Sequence, residues 1–259
     1  MDKHGRKQKR NGNRRGKKVS DQFYEVDGRN HENRSDQPLN EFKRKKVPPI
    51  VPLTEVQSHY MEAIRTKPYI LATGYAGTGK TYIPIRMAID LLIAGDIKHI
   101  VLARPAVSNS KSLGFFKGSK EEKMAEWLKP IMSTLQEQFS DQKIDTMIKY
   151  KELVFCPLET IKGNNWKDSF IIIDEDEDCN FEEIKSIITR LGTDSTMVLC
   201  GDITQSSLRN SGVVKLLEAR EKSVPLQKII THIDFSDIDD IVRSIPVKTV
   251  ITELEKLGL

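Results

Sequence analysis

The sequence predicts an α/β fold, with a mainly parallel sheet covered by helices on both faces. Short apolar runs alternate with segments of helical spacing, which is typical of parallel strands buried between two helix layers. A glycine-rich turn, GYAGTGKT, joins one of these runs to a helix pattern. The polar motifs lie directly after apolar runs, so we expect them to meet at the carboxyl edge of the sheet, where such folds bind ligands.

The predicted elements follow one another from Thr54 onward. Two helix starts carry capping signals, Ser119 with Glu122 and Asn180 with Glu183. The apolar runs predict strands at 69–73, 99–103, 153–156, 170–174, 196–200 and 228–235. The intervening periodic segments predict helices at 55–65, from about 79 to 94, and at 120–138, 181–191 and 212–220.

The glycine-rich turn matches the P-loop pattern G-x-x-x-x-G-K-[ST] at every fixed position. Its glycines allow positive φ, and they let backbone N–H groups approach a phosphate at a helix start. A chance glycine-rich turn is the alternative, but a buried strand before it and an apolar helix after it favour nucleotide binding. The residues predicted to bind the nucleotide are Gly74, Tyr75, Ala76, Gly77, Thr78, Gly79, Lys80 and Thr81.

Two further apolar runs end in residues that suit a nucleoside triphosphate. FIIIDEDED places Asp174 and Glu175 after four apolar residues, which is the Walker B arrangement. The first carboxylate can hold Mg²⁺, and the second can orient an attacking water. LCGDITQ places Gln205 after another buried run, where it can sense the γ-phosphate. An ordinary Gly-Asp turn is the alternative for that last motif.

Arg104 and Gln57 each leave two interpretations open. Arg104 ends the HIVLA run, where it can bind a phosphate of a nucleotide or nucleic acid, or pair with a neighbouring acid. Gln57 precedes the first strand, where it can read an adenine edge or simply lie on the surface. Residue type and position favour neither interpretation for either residue.

Charge is unevenly distributed along the chain. Residues 1–46 hold 15 Lys or Arg against 7 Asp or Glu, a net of +8, and the remaining residues carry a net of −4. We expect a disordered basic tail and linker over 1–50 and a folded P-loop domain over 51–259. The tail is either a solubilising segment or an arm that contacts nucleic-acid phosphates with salt-sensitive affinity.

Composition argues against membrane and secreted classes of protein. No apolar run approaches the roughly 20 residues that span a bilayer, and the N-terminus has no apolar signal region. The three cysteines show no metal or redox spacing. Cys156 and Cys200 end apolar runs, so we expect buried, reduced thiols and a cytoplasmic protein without a membrane partner.

The chain resembles the PhoH-like family of phosphate-starvation-inducible ATPases from about Thr54 to Glu255. The motifs that carry the resemblance are GYAGTGKTY, ARPAVSNSKSLGFFKGSKEEKMAEWLKPI, IKGNNWKDSFIIIDEDED, RLGTDSTMVLCGDITQ and IDDIVRSIPV. Their presence in the family's order implies a RecA-like P-loop NTPase fold, akin to one lobe of superfamily 1 helicases. It also implies ATP and Mg²⁺ as ligands.

The resemblance implies roles for individual residues. One departure is that Glu177 stands where the family has a glutamine, which removes a hydrogen-bond donor from that position. The implied roles place Gln57 near adenine, Lys80 and Thr81 on phosphate and Mg²⁺, Asp174 and Glu175 as the Walker B pair, Gln205 as γ-phosphate sensor, and Arg243 as an arginine finger within or between subunits. Apart from the resemblance, Arg104 and Lys162 are candidate nucleic-acid contacts.

Two functions therefore compete. The first is an ATPase that acts on RNA or single-stranded DNA, with RNA favoured. A single lobe needs a second surface, so we expect a homo-oligomer, for which a hexameric ring is one candidate, with Arg243 supplied by a neighbouring subunit. The second is a nucleotide-gated binding protein or switch without motor activity. The basic tail resembles a phage-encoded version of the family, which would place the protein in the cytoplasm of a bacterium or of a phage's host.

Overall fold

A computed structural model describes residues 47–105, 129, 131–158, 163, 165–203 and 211–257. Within these ranges the chain forms six strands and eight α-helices. The strands are β1 Tyr69–Gly74, β2 His99–Arg104, β3 Leu153–Pro157, β4 Ser169–Asp174, β5 Thr196–Gly201 and β6 Ile230–Phe235. The helices are α1 Glu55–Thr66, α2 Tyr82–Ala94, α3 at 131–138, α4 Asp141–Lys149, α5 Phe181–Ile188, α6 Gly212–Glu221, α7 Val224–Ile229 and α8 Ile245–Lys256.

The strands form a single parallel sheet in the order β3-β2-β4-β5-β1-β6. Because every neighbouring pair is parallel, the carboxyl ends of all six strands lie at one edge. The register places Asp174 opposite Cys200, and Thr73 opposite both Gly201 and Asp234. The sheet therefore brings the ends of β1, β4 and β5 together, as the sequence predicts.

Alternate residues of each strand pack into two cores, one on each face of the sheet. In β4, Phe170 and Ile172 contact the core that α1 to α4 cover, whereas Ile171 and Ile173 face α5 and α6. This alternation explains why the strands read as continuous apolar runs, since both faces are buried. The predicted fold, a parallel sheet with helices on both faces, is confirmed. None of the helices in the described ranges is both long and apolar enough to cross a membrane.

Helix starts follow the local sequence where the structure describes them. Thr54 caps α1 by accepting the backbone N–H of Gln57 at 3.2 Å. Asn180 and Glu183 form the reciprocal capping box expected at the start of α5. The Ser119–Glu122 signal and the basic tail lie outside the described residues, and of the helix predicted at 120–138 the described part is α3.

Three predicted boundaries are wrong. The helix predicted from about 79 begins at Tyr82, with Thr81 as its N-cap. The last strand begins at Ile230 rather than Lys228, because Ser223 and Pro225 start the short helix α7, which ends at Ile229. The helix predicted at 181–191 ends at Ile188, because residues 190–193 turn to hydrogen-bond with the backbone beside Trp166. Neither α4 nor α8 was predicted. The three cysteines are free and buried, as expected for Cys156 and Cys200.

Candidate functional site

The carboxyl edge of the sheet opens into a cleft of about 620 Å³ beside the glycine-rich turn. The turn and the ends of β4 and β5 line one side, and the segment before α1 lines another. This is the edge at which parallel α/β sheets bind ligands. Its polar and charged lining residues are Gln57, Lys80, Thr81, Tyr82, Arg104, Thr134, Asp174, Glu175, Glu177, Asp202 and Arg243.

The turn has the backbone geometry that its glycines predict. Gly74, Gly77 and Gly79 have φ angles of +114°, +83° and +92°. At Gly74 a β-carbon would lie 2.3 Å from the carbonyl carbon of Phe235. The next residue, Tyr75, donates its backbone N–H to the Phe235 oxygen at 3.0 Å. The start of the turn is therefore held directly against the end of β6, and only glycine fits there.

We expect Gly74→Ala to weaken nucleotide binding about tenfold or more and to lower the unfolding temperature, because it adds both backbone strain and a collision with β6. Gly95→Ala is the matched control. Gly95 also has a positive φ, +83°, but a β-carbon there would meet nothing within 4 Å. Nucleotide titration and thermal unfolding compare the two variants. Equal losses of stability with unchanged nucleotide affinity would contradict the assignment of the turn.

The amine of Lys80 lies inside the turn. Its Nζ donates to the carbonyl oxygens of Gly74 and Tyr75, so the cation points to the space that the loop encircles. Burial lowers the pKa of Lys80 below its usual value, and the neighbouring carboxyl groups of Asp202 and Glu177 offset only part of that shift. The turn therefore presents a largely desolvated positive charge, which suits a phosphate group.

Thr81 and Asp174 come together from distant parts of the sequence. The Thr81 hydroxyl donates to Asp174 Oδ1 at 2.7 Å. A hydroxyl oxygen and a carboxylate oxygen at this separation form the ligand set that Mg²⁺ takes, with its remaining positions left to water and phosphate. The residues that the sequence assigned to the metal therefore fit it.

Arg104 pairs with the Walker B acids. Its Nη1 lies 3.7 Å from Asp174 Oδ2, and its Nη2 contacts Glu175 Oε1. Of the two interpretations open for Arg104, the structure shows the acid pair. Glu175 itself has a φ of +56°, in the left-handed region, which costs a non-glycine residue about 1 kcal/mol or more.

The acidic stretch after Glu175 folds into a short 3-10 turn, Asp176–Asp178, packed against the end of β5. Glu177 Oε2 accepts the backbone N–H of Asp202 at 3.2 Å, a role that a glutamine oxygen would fill equally well. Burial raises the pKa of Glu177. Asp176 is completely buried against Gly201, and burial raises its pKa well above the usual range. The position that is glutamine in the family thus carries a carboxyl group that hydrogen-bonds to the backbone directly after β5.

Arg243 lies across the glycine-rich turn of its own chain. A β-carbon at Gly77 would fall 2.6 Å from Arg243 Nε, and the Val242 N–H donates to the Gly77 carbonyl at 3.1 Å. Arg243 thus lines the cleft of its own chain, and its supply by a neighbouring subunit stays a prediction. The guanidinium is exposed at the mouth of the cleft.

Gln57 is buried, with both ends of its amide engaged. Its Nε2 donates to the Thr78 carbonyl at 2.8 Å, and its Oε1 accepts the Leu53 N–H at 2.8 Å. The amide therefore ties the segment before α1 to the glycine-rich turn. One N–H and one lone pair remain for a ligand. The surface-glutamine alternative is wrong.

Several residues that line the cleft were missed by the sequence reasoning. They are apolar or aromatic: Ile50, Val51, Leu53, Tyr82, Ile131 and Val242. The apolar residues between the prolines of PPIVPL were a usable signal, because a solvated linker has little reason to carry them. Tyr82 follows the P-loop threonine directly. Two predicted site residues, Gln205 and Lys162, lie outside the described residues.

The chain is similar in sequence to proteins named PhoH or PhoH-like. The PhoH-like protein of Bacillus subtilis (strain 168) is 31% identical over 202 residues, 77% of this chain and 62% of that protein. Protein PhoH of Escherichia coli (strain K12) is 31% identical over 176 residues, 67% of this chain and 50% of that protein. The chain thus spans about half the length of the curated relatives it matches.

A Sulfolobus solfataricus SWI2/SNF2 ATPase core, solved in complex with dsDNA, aligns with a TM-score of 0.40 and 14% identity over 74% of this chain and 47% of that chain. A likeness of this degree assigns no function. The sequence similarity is more informative, because the model described as PhoH-like protein matches residues 49–255, about four fifths of the chain. The chain therefore belongs to the PhoH-like protein family.

Proposed function

We propose that this protein binds ATP with Mg²⁺ in the cleft and hydrolyses it, in a cycle coupled to RNA or single-stranded DNA. The observation that carries the proposal is the hydrogen bond from Thr81 to Asp174, with the Lys80 amine inside the adjoining turn. A chance glycine-rich turn would not align a hydroxyl, a carboxylate and a cation around one space.

The residues divide the work by position. Backbone N–H groups of the turn and the Lys80 amine hold the phosphates, and Thr81 with Asp174 holds the metal. Mg²⁺, when bound, offsets the charge of the phosphate oxygens. Glu175 accepts the proton of the attacking water, and Gln205 senses the γ-phosphate. Arg243, at the mouth of the cleft, faces charge that develops on the transferred group.

Arg104 has a distinct part in this cycle. Its guanidinium pairs with Asp174 and Glu175. When Asp174 holds the metal and Glu175 faces the attacking water, each carboxylate exchanges its contact with Arg104 for the metal or the water. Arg104 is then available for another anion. It lies at the carboxyl end of β2, within the ARPAV motif. We assign Arg104 as a nucleic-acid contact on this basis, and Lys162, which lies outside the described residues, as a second candidate.

Charge supports nucleic acid as the partner. Residues 1–46 carry a net of +8, whereas the rest of the chain carries a net of −4. Such a segment attracts phosphate backbones regardless of sequence, in proportion to the counterions released. RNA is the favoured polymer. The single lobe also needs a second surface to grip a strand, which favours a homo-oligomer, with a hexameric ring as one candidate.

Steady-state ATP turnover at low salt tests the proposal, measured with no polymer, with single-stranded RNA and with single-stranded DNA. Lys80→Ala provides the blank. Stimulation by one polymer supports the nucleic-acid ATPase and identifies its substrate. Turnover equal to the blank under every condition would overturn the assignment of hydrolysis.

The second candidate is a nucleotide-gated switch that hydrolyses ATP slowly. The pairing of Glu175 with Arg104 favours it, because a carboxylate held by a guanidinium is not free to accept a proton. Slow turnover that neither polymer changes, together with tight ATP binding, would select this function over the motor.

Deleting residues 1–46 should weaken nucleic-acid binding at least about tenfold at low salt and much less at high salt, because phosphate contacts are lost as counterions compete. A chain of full length with Arg14, Arg15, Lys17 and Lys18 changed to glutamine is the control for length. It should lose part of the affinity, and its salt dependence should be shallower. If the affinity of the deletion variant equals that of the intact chain, the segment only aids solubility.

A further inference from the structure

Two side chains on one face of helix α1 hydrogen-bond to the glycine-rich turn. Gln57 donates to the Thr78 carbonyl, and Tyr60, three residues later, donates its hydroxyl to the Lys80 carbonyl at 2.7 Å. Residues three apart on a helix lie on the same face. Tyr60 is fully buried, so water cannot replace the Lys80 carbonyl as the partner of its hydroxyl. The contact therefore holds the backbone of the residue whose amine faces the phosphates.

The Lys80 carbonyl needs an outside donor because of Pro84. In an α-helix the N–H of residue 84 would bond to the oxygen of residue 80, and proline has no N–H. The neighbouring bonds are present, from Ile83 to Gly79 at 2.9 Å and from Ile85 to Thr81 at 3.4 Å. The ladder thus has one gap, at the Lys80 carbonyl. The Tyr60 hydroxyl fills that gap.

The Cys200 thiol is the other group near this carbonyl, with its sulfur 3.2 Å from the oxygen. Thiols are weak donors, so the hydroxyl is the main partner. Cys200 ends the apolar part of β5, two residues before Asp202. The Lys80 carbonyl is therefore a point where α1, the glycine-rich turn and β5 meet.

Tyr60 also supports the first residues of the turn. Its ring packs edge-on against Phe235, with centroids 5.4 Å apart and an interplanar angle of 82°. Phe235 supplies the carbonyl that fixes Tyr75 and the backbone against which Gly74 lies. Tyr60 thus supports the turn at two places. It packs on Phe235, which holds the first residues, and it hydrogen-bonds directly to the Lys80 carbonyl.

We propose that Tyr60 is the positioning residue of the P-loop, and that its hydroxyl replaces the helix hydrogen bond that Pro84 removes from the Lys80 carbonyl. Tyr60 is not among the described residues that line the cleft. It fixes the Lys80 backbone directly before α2, where the amine enters the turn. The positioning role rests on the proposed function, whereas the replacement of the N–H by the hydroxyl does not.

A double-mutant cycle tests both parts, using Tyr60→Phe, Pro84→Ala and the double variant. Pro84→Ala restores an N–H for the Lys80 carbonyl, so the hydroxyl becomes redundant. We expect Tyr60→Phe to weaken ATP binding about fivefold to tenfold in the natural chain, and less than about twofold in the Pro84→Ala chain. Tyr60→Phe should also lower the unfolding temperature less in the Pro84→Ala chain than in the natural chain.

Tyr69→Phe is the matched control. The Tyr69 hydroxyl donates to the Ile188 carbonyl at 2.8 Å, at the opposite edge of the sheet from the cleft. It should lower the unfolding temperature and leave ATP affinity unchanged. If Tyr60→Phe behaves in the same way, Tyr60 is structural and the positioning role is overturned.

Equal effects of Tyr60→Phe in the natural and the Pro84→Ala chains would overturn the replacement of the N–H by the hydroxyl. If the natural chain binds no ATP, the proposed function fails, and with it the positioning role. The unfolding temperatures of the four chains, measured without nucleotide, still decide whether the hydroxyl and the missing N–H are coupled.

Discussion

Lys80→Ala is expected to reduce kcat/KM for ATP at least about a hundredfold, the loss typical when one preorganised donor to transferring charge is removed. The amine lies within the turn, held by the Gly74 and Tyr75 carbonyls. Nothing else in the described part of the turn brings a side-chain cation to that position, and water cannot replace its charge. Direct ATP titration measures the loss of binding, and phosphate release measures the loss of turnover.

Lys98→Ala is the matched control for loss of a lysine. Its Nζ pairs with Asp168 Oδ2 at 2.6 Å, beside the start of β2 and at the opposite edge of the sheet. Because that ion pair is exposed, its loss should change stability little and ATP turnover not at all. Turnover by the Lys80→Ala chain equal to that of the Lys98→Ala chain would refute the P-loop assignment, provided that both chains unfold at similar temperatures.

The parts of the site that the sequence predicts are those written in local patterns. The turn from Gly74 to Thr81 is contiguous, and its glycines have the expected positive φ angles. Asp174 was placed by its position after a buried run. Its meeting with Thr81 follows from the parallel sheet, because strands that run the same way end at the same edge.

The parts that were missed depend on backbone partners or on distant pairings. Tyr60 bonds to a carbonyl, and every residue has a carbonyl, so no motif marks the contact. Pro84 signalled a missing N–H, but the donor that compensates lies in another helix. The last two residues of α7 were assigned to the final strand because Ile229 is continuous with the apolar run of β6, although Ser223 and Pro225 mark a helix start.

Arg104 shows why some alternatives stay open in a sequence. An arginine at a strand end can meet a phosphate or an acid, and the choice depends on which strand lies alongside. Here β2 pairs with β4, whose end carries Asp174 and Glu175. Strand order is a property of the whole fold, so the ion pair followed only once the order was known.

Glu175→Gln is expected to preserve ATP binding within about threefold and to lower kcat at least about a hundredfold, as for loss of a general base. The substitution keeps the size of the side chain and an oxygen that can accept from Arg104, so the cleft should retain its shape. What is lost is the capacity to take a proton from the attacking water. Glutamine remains uncharged at any pH at which the fold survives, so a change of pH should not restore turnover.

Glu182→Gln makes the same chemical change on α5, a few residues along the chain and outside the cleft. Its carboxylate is exposed and pairs with Lys185 at 3.6 Å, so turnover should be unchanged. Single-turnover phosphate release and equilibrium ATP titration on both variants separate binding from chemistry. Normal phosphate release by the Glu175→Gln chain would remove Glu175 from the reaction. Loss of ATP binding would instead show that the charge of Glu175 helps to hold the bound nucleotide and its metal, because the side chain would have kept its shape and lost only its charge.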